Sequence, residues 1–160
     1  MRKVLPVLLI VLLVPLGYYI ASNGEGRSDG ARNLPNGEGI VLKLDKVTYR
    51  VGEELTLTII NNGSETLLVG ASYRLYRLEN GRWKELNLGF SFTGIGYTIP
   101  PGGNWSQTVP LVTHVSDGAG KLEPLPPGRY RITKTVTIDR GRCGRGSSEI
   151  TLSAEFEVAG

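Results

Sequence analysis

The chain has 160 residues, among them 22 glycines, 9 prolines, one cysteine and one histidine, with a formal charge of +3. That glycine and proline load excludes a helical bundle, the single cysteine excludes an internal disulfide framework, and the small, scattered charge excludes a nucleic-acid binder. One histidine and one cysteine leave almost nothing for zinc or for most nucleophilic triads.

Arg2 and Lys3 precede 18 residues without a charge, Val4 to Ala21. As a helix rising about 1.5 Å per residue, this run spans roughly 27 Å, near the hydrocarbon thickness of a bilayer. The basic flank would stay in the cytoplasm and the rest of the chain would lie outside. Tyr18 and Tyr19 sit where an interfacial aromatic pair belongs. Residues 1–21 are therefore expected either as a transmembrane helix or as a cleaved signal helix. The first makes the protein single-pass in the cell membrane with its C-terminal domain outside, and the second makes it secreted. Signal-peptide apolar regions usually hold about 7–15 residues, and Tyr19 is a poor residue three positions before a cleavage site, so the anchor is preferred. Ser22-Asn23-Gly24 is a passable small-x-small site, which keeps cleavage open. Residues 22–39, SNGEGRSDGARNLPNGEG, have no apolar periodicity and read as a flexible linker. A domain over residues 40–160 follows, enough for one two-layer core.

That domain reads as strands throughout. Ile40 to Leu44 is the first. Leu55, Leu57 and Ile59 then alternate with Thr56 and Thr58. Thr66 to Val69, Tyr73 to Leu78, Trp83 to Leu86, Trp105 to Leu111 and Tyr130 to Ile138 are further strands. Ile150, Leu152, Ala154, Phe156 and Val158 alternate with Thr151, Ser153, Glu155 and Glu157. Period-two alternation of this kind marks a half-buried antiparallel strand. Turn signals at Val51-Gly52, Asn62-Gly63, Asn80-Gly81, Pro101-Gly102-Gly103 and Pro127-Gly128 separate the strands. Short strands with such turns point to an all-β sandwich. A two-residue loop at Asn80-Gly81 would set Leu78 against Trp83 and Glu79 against Arg82, but also Arg77 against Lys84. A three-residue loop with a bulge is the other register.

Leu125-Pro126-Pro127-Gly128-Arg129-Tyr130 matches L-x-P-G-x-Y. With Leu125, Pro127, Gly128 and Tyr130 in place, it resembles the tyrosine corner of Greek-key sandwiches, where the hydroxyl bonds back to the chain a few residues upstream. His114, in Thr113-His114-Val115-Ser116-Asp117, reads as a surface loop residue, because adjacent residues cannot supply triad geometry. Cys143 lies between Arg142 and Arg145, which would lower its pKa. Together with Arg140, these residues form a basic loop between the last two strands. Arginine suits carboxylate and phosphate, so the loop is a candidate contact for an anionic surface polymer or a protein partner. Asn62-Gly63-Ser64 and Asn104-Trp105-Ser106 are sequons, making Asn62 and Asn104 candidate glycosylation sites. No phosphate cradle, metal-ligand spacing or cofactor motif is present.

The runs Tyr49-Arg50-Val51-Gly52-Glu53-Glu54-Leu55-Thr56-Leu57-Thr58-Ile59, Gly70-Ala71-Ser72-Tyr73, Phe92 to Ile99 and Pro127-Gly128-Arg129-Tyr130-Arg131-Ile132-Thr133-Lys134 resemble bacterial immunoglobulin-like domains. The similarity covers about residues 40–158. It implies an immunoglobulin-like antiparallel Greek-key β-sandwich of the small single-domain type found on surface proteins and lipoproteins. The lipoprotein cysteine is missing after the apolar run, and the basic loop is longer than the family pattern. The resulting expectation is a non-catalytic extracytoplasmic module, tethered to the membrane through residues 4–21. It would bind an unknown protein or anionic surface polymer, or serve as a structural part of the envelope. The alternative is a loop-mediated inhibitor, since the stretch from Asn61 to the Pro-Gly-x-Tyr turn also resembles intracellular proteinase inhibitors.

Overall fold

The computed structural model describes residues 39–115, 121–140 and 146–160. Every helix-or-strand element among them is a strand: β1 (Ile40–Leu44), β2 (Thr48–Arg50), β3 (Glu54–Asn61), β4 (Thr66–Gly70), β5 (Arg74–Glu79), β6 (Arg82–Glu85), β7 (Gly96–Ile99), β8 (Asn104–Pro110), β9 (Val112–His114), β10 (Leu122–Pro124), β11 (Gly128–Asp139) and β12 (Ser148–Ala159). The protein is all-β over these residues. The expected membrane or signal helix of residues 1–21, and nearly all of the 22–39 linker, lie outside the described residues.

Alternation decides which face of each strand is buried. β3 buries Leu55, Leu57 and Ile59, and β12 buries Leu152, Ala154, Phe156 and Val158. β11 buries Tyr130, Ile132, Lys134, Val136 and Ile138 and turns Arg129, Arg131, Thr133, Thr135 and Thr137 outward. A short sheet in the order β1-β3-β8 supplies one inner face. A long sheet in the order β2-β12-β11-β4-β7, with β5 and β6 attached alongside β11, supplies the other. Their buried side chains form one cluster, so the two sheets make a β-sandwich. A separate pair, β9-β10, stands beside them.

Four strands escaped the sequence reading, for physical reasons. β2, β9 and β10 have three residues each, too few to display alternation. β7 is an edge strand that buries Ile99 alone. β2 also departs from the expected antiparallel arrangement, because it runs parallel to β12 with Tyr49 beside Val158. Tyr49 fixes that edge. Its ring meets Phe156 edge-on at 5.6 Å, and its hydroxyl donates to Asp45 Oδ1 at 2.7 Å.

One side of β11 is shared end to end by two strands. Val69 of β4 faces Val136, and Arg74 of β5 faces Thr133. Gly70 to Tyr73 thus oppose only Lys134 and Thr135, a bulge with two extra residues on the β4–β5 side. The following hairpin takes the two-residue loop, with Leu78 opposite Trp83 and Glu79 opposite Arg82. Asn80 and Gly81 both have positive φ, 50° and 77°, the geometry of a type I′ turn. Arg77 does face Lys84, but Glu79 lies within 3.8 Å of the first and 3.5 Å of the second. The carboxylate between the two cations relieves the like-charge contact.

Both ends of the sandwich can be identified. Ile40 pairs with Asn61, and Asp139 pairs with Thr66. Asn61 Nδ2 donates to the Glu65 carbonyl at 2.8 Å and to the Ile99 carbonyl at 3.0 Å. The amino-terminal start of β1 and the carboxy-terminal end of β11 therefore share one pole. The Asn80-Gly81 hairpin and the Pro127-Gly128 turn lie at the other.

Candidate functional site

The outward positions of the long sheet carry the richest surface chemistry among the described residues. At the far pole, Glu155 receives Arg129 at 3.2 Å and Arg131 at 2.5 Å. The Arg131 guanidinium also lies 4.2 Å from the centroid of the Trp83 ring. Nearer the middle of the sheet the outward side chains change to threonines: Thr133 and Thr135 on β11, and Thr151 opposite Thr135 on β12. The two facing hydroxyls stand 3.5 Å apart.

Those threonines floor a cleft of about 650 Å³. Its sides come from β5 and β6, through Tyr76, Arg74 and Glu85, and from the segment after β6, which carries Phe90 and Phe92. Arg74 is ion-paired with Glu85 at 3.7 Å. Tyr73, Phe90 and Phe92 form an aromatic group, with Tyr73 to Phe92 at 4.8 Å and Phe90 to Phe92 at 5.4 Å, all edge-to-face. The Tyr73 hydroxyl is buried and meets no hydrogen-bond partner among the described residues. Burial pushes its pKa up to about 12. An unpartnered buried hydroxyl is costly, and such groups concentrate where a fold does something beyond packing.

The segment carrying the aromatic wall is pinned from behind. The Asn87 carbonyl accepts the His114 backbone N–H at 2.8 Å and the Thr113 hydroxyl at 3.2 Å. Gly89, with φ of 69°, lies against the imidazole so closely that a Cβ there would come within 2.6 Å of His114 Cδ2. His114 is therefore not the surface loop residue the sequence implied. It ends strand β9, is half-buried, and braces the turn that presents Phe90.

A second polar feature lies inside the sandwich. Lys134 is fully buried, and its Nζ donates to Gln107 Oε1 at 2.7 Å. Gln107 Nε2 donates in turn to the Ala71 carbonyl, at 2.9 Å. The bulge explains the set: it frees the Ala71 carbonyl from the ladder, Gln107 reaches across from the short sheet to satisfy it, and Lys134 satisfies Gln107. The ammonium lies 4.7 Å from the Trp105 ring, and Tyr97 covers that ring at 5.5 Å. Burial brings the Lys134 pKa down to about 8.

The sequence-derived candidates fall in separate places. Tyr130 is buried, stacks on Phe156 at 5.6 Å, and donates its hydroxyl to the Pro126 carbonyl at 2.6 Å. Leu125 is buried beside it, Gly128 opens β11, and the Pro127 carbonyl accepts Arg77 Nη2 at 3.3 Å. Asn62 and Asn104 are both exposed. Arg140 is exposed at the end of β11, whereas Arg142, Cys143 and Arg145 lie outside the described residues. No group of three His, Cys, Asp or Glu among the described residues is placed to hold a metal ion. The cleft and Lys134 were missed from sequence, although two signals were present. Three threonines occupy outward positions of the two longest strands, and the alternation of β11 puts Lys134 in line with Ile132 and Val136.

A family model described as a bacterial Ig-like domain matches residues 36–157. No curated protein sequence matches the chain. Among solved structures, a structural-genomics target is 19% identical, with a TM-score of 0.45 over 79% of this chain and 90% of its own. An alkylpurine DNA glycosylase of Pseudomonas fluorescens, bound to DNA containing an abasic site analog, is 19% identical, with a TM-score of 0.34 over 74% of this chain and 29% of its own. A β-glucosidase of Listeria innocua in complex with gluconolactone is 18% identical, with a TM-score of 0.33 over 76% of this chain and 16% of its own. The chain thus spans less than a third of either enzyme.

Proposed function

This chain belongs to the bacterial Ig-like domain family, and from that membership we propose that it is a non-catalytic, extracytoplasmic binding module whose contact surface is the threonine-floored cleft. The observation that carries the reading is the cleft itself. A face of β11 and β12 is walled by an aromatic segment held from behind by β9. Ig-like sandwiches are generally scaffolds, and their functions reside in what their faces and loops display. In this reading the fold is the immunoglobulin-like Greek key, its chain passing between the two sheets at β1–β2, β2–β3, β3–β4 and β7–β8 and returning from β8 to β11 through the β9-β10 pair. The membrane tether belongs to the same proposal. Its support is the uncharged run from Val4 to Ala21 behind Arg2 and Lys3, which would place the domain at the outer surface of the cell membrane.

The test is retention of the detergent-solubilised full-length protein on membrane-free envelope fractions, where the apolar run Val4 to Ala21 cannot hold it. Phe90→Ala and Tyr76→Ala should each reduce retention, while Val47→Ala, at an exposed apolar site away from the cleft, should leave it unchanged. Equal retention in folded cleft variants would refute the cleft as the contact surface.

A further inference from the structure

We propose that the cleft is a saccharide site, taking a neutral glycan segment of the cell envelope. The inference rests on the cleft being the contact surface and names the ligand class. The floor presents the hydroxyls of Thr133, Thr135 and Thr151, each able to donate and to accept. The walls present aromatic rings, of which Phe90 is 37% exposed and so open to contact. Hydroxyls below and ring faces beside them complement a molecule that carries hydroxyls on its rim and C–H groups on its faces.

Other ligand classes fit less well. β11 is an interior strand, paired with β12 on one side and with β4 and β5 on the other. The floor is therefore a sheet face rather than an edge, and a peptide has no open ladder to join there. A lipid chain would desolvate the threonine hydroxyls without replacing their hydrogen bonds. An anionic polymer would need unpaired cations, yet the cation lining this cleft, Arg74, is paired with Glu85. The volume of about 650 Å³ lies inside the usual range of about 300–1,000 Å³ for small-ligand sites.

The experiment is calorimetric titration of the full-length protein with four-sugar oligomers of glucose, mannose and N-acetylglucosamine. At least one should bind saturably. Thr133→Val with Thr151→Val, which removes two hydroxyls while keeping the β-branched shape, should weaken that binding at least tenfold, as should Phe90→Ala. The thermal midpoint of each variant establishes that it is folded. Binding that ignores both sets of substitutions would overturn the proposal. So would the absence of binding to every oligomer, and if envelope retention still depended on Phe90 and Tyr76 in that case, the cleft would stand as a contact surface for another ligand class. Retention that is also independent of the cleft would remove both readings.

Discussion

Lys134 occupies a position that its neighbours on β11 fill with Ile132 and Val136, and its amine is dissolved in protein rather than water. Desolvation disfavours the charged form and lowers its pKa from 10.5 to about 8. The sign of the effect on stability follows. Between pH 8 and pH 10.5 the unfolded chain holds a proton that the native state has released, so stability rises with pH across that interval. The full rise is roughly 3 kcal/mol. Tyrosines cut it short at the upper end. Burial and the bond to Asp45 push Tyr49 well up from 10.0, and burial pushes Tyr73 up to about 12, so above pH 10 ionisation favours the unfolded chain. Denaturant titrations should therefore show stability climbing from pH 7.5 to pH 9.5, and Lys134→Met should flatten the climb. A wild-type profile that is level or falling over this range would contradict the assignment. Tyr130 supports a simpler prediction. Its hydroxyl bond to the Pro126 carbonyl is 2.6 Å long and its ring is fully buried. Tyr130→Phe should cost about 1 kcal/mol in the same titration, the ordinary worth of a buried hydrogen bond.

Strands show where sequence reading succeeds and where it stops. Alternation identified β3 and β12 because each has at least eight residues with one face in the core. The inward place of Lys134 was missed although the alternation of β11 implies it, because a lysine in an apolar series looks like an interruption until the bulge and Gln107 are known. The hairpin register stayed open because Arg77 against Lys84 argued against the two-residue loop. That objection disappears only when Glu79 is found between the two cations, a three-dimensional fact. The cleft was less legible still. Its floor residues can be assigned outward from the alternation, yet its wall depends on the path of the segment after β6, which has no periodicity. His114 shows how that path is held. Gly89→Ala would require a side chain at positive φ and would drive a Cβ into the imidazole. It should destabilise the protein by roughly 1–3 kcal/mol and should also reduce envelope retention, because Phe90 is the next residue. Wild-type stability in Gly89→Ala would show that the contact is slack.

At the scale of the whole molecule, the prediction concerns attachment. The full-length protein should remain in the membrane fraction after an alkaline carbonate wash, because residues 4–21 are long enough to span the bilayer. Mass spectrometry of the native amino terminus provides the check, and a mature chain beginning near Glu25 would show cleavage instead. The shared pole of β1 and β11 then acquires a mechanical meaning. Force transmitted from a held ligand to the membrane would enter the sandwich at Ile40 and run along the axis of β1. That strand is joined to β3 by five paired residues, from Ile40 with Asn61 to Leu44 with Leu57. Pulling an antiparallel strand lengthwise stretches its hydrogen bonds together, in shear, instead of opening them one after another. The domain would thus meet tension from its tether in the direction in which a strand is hardest to peel away.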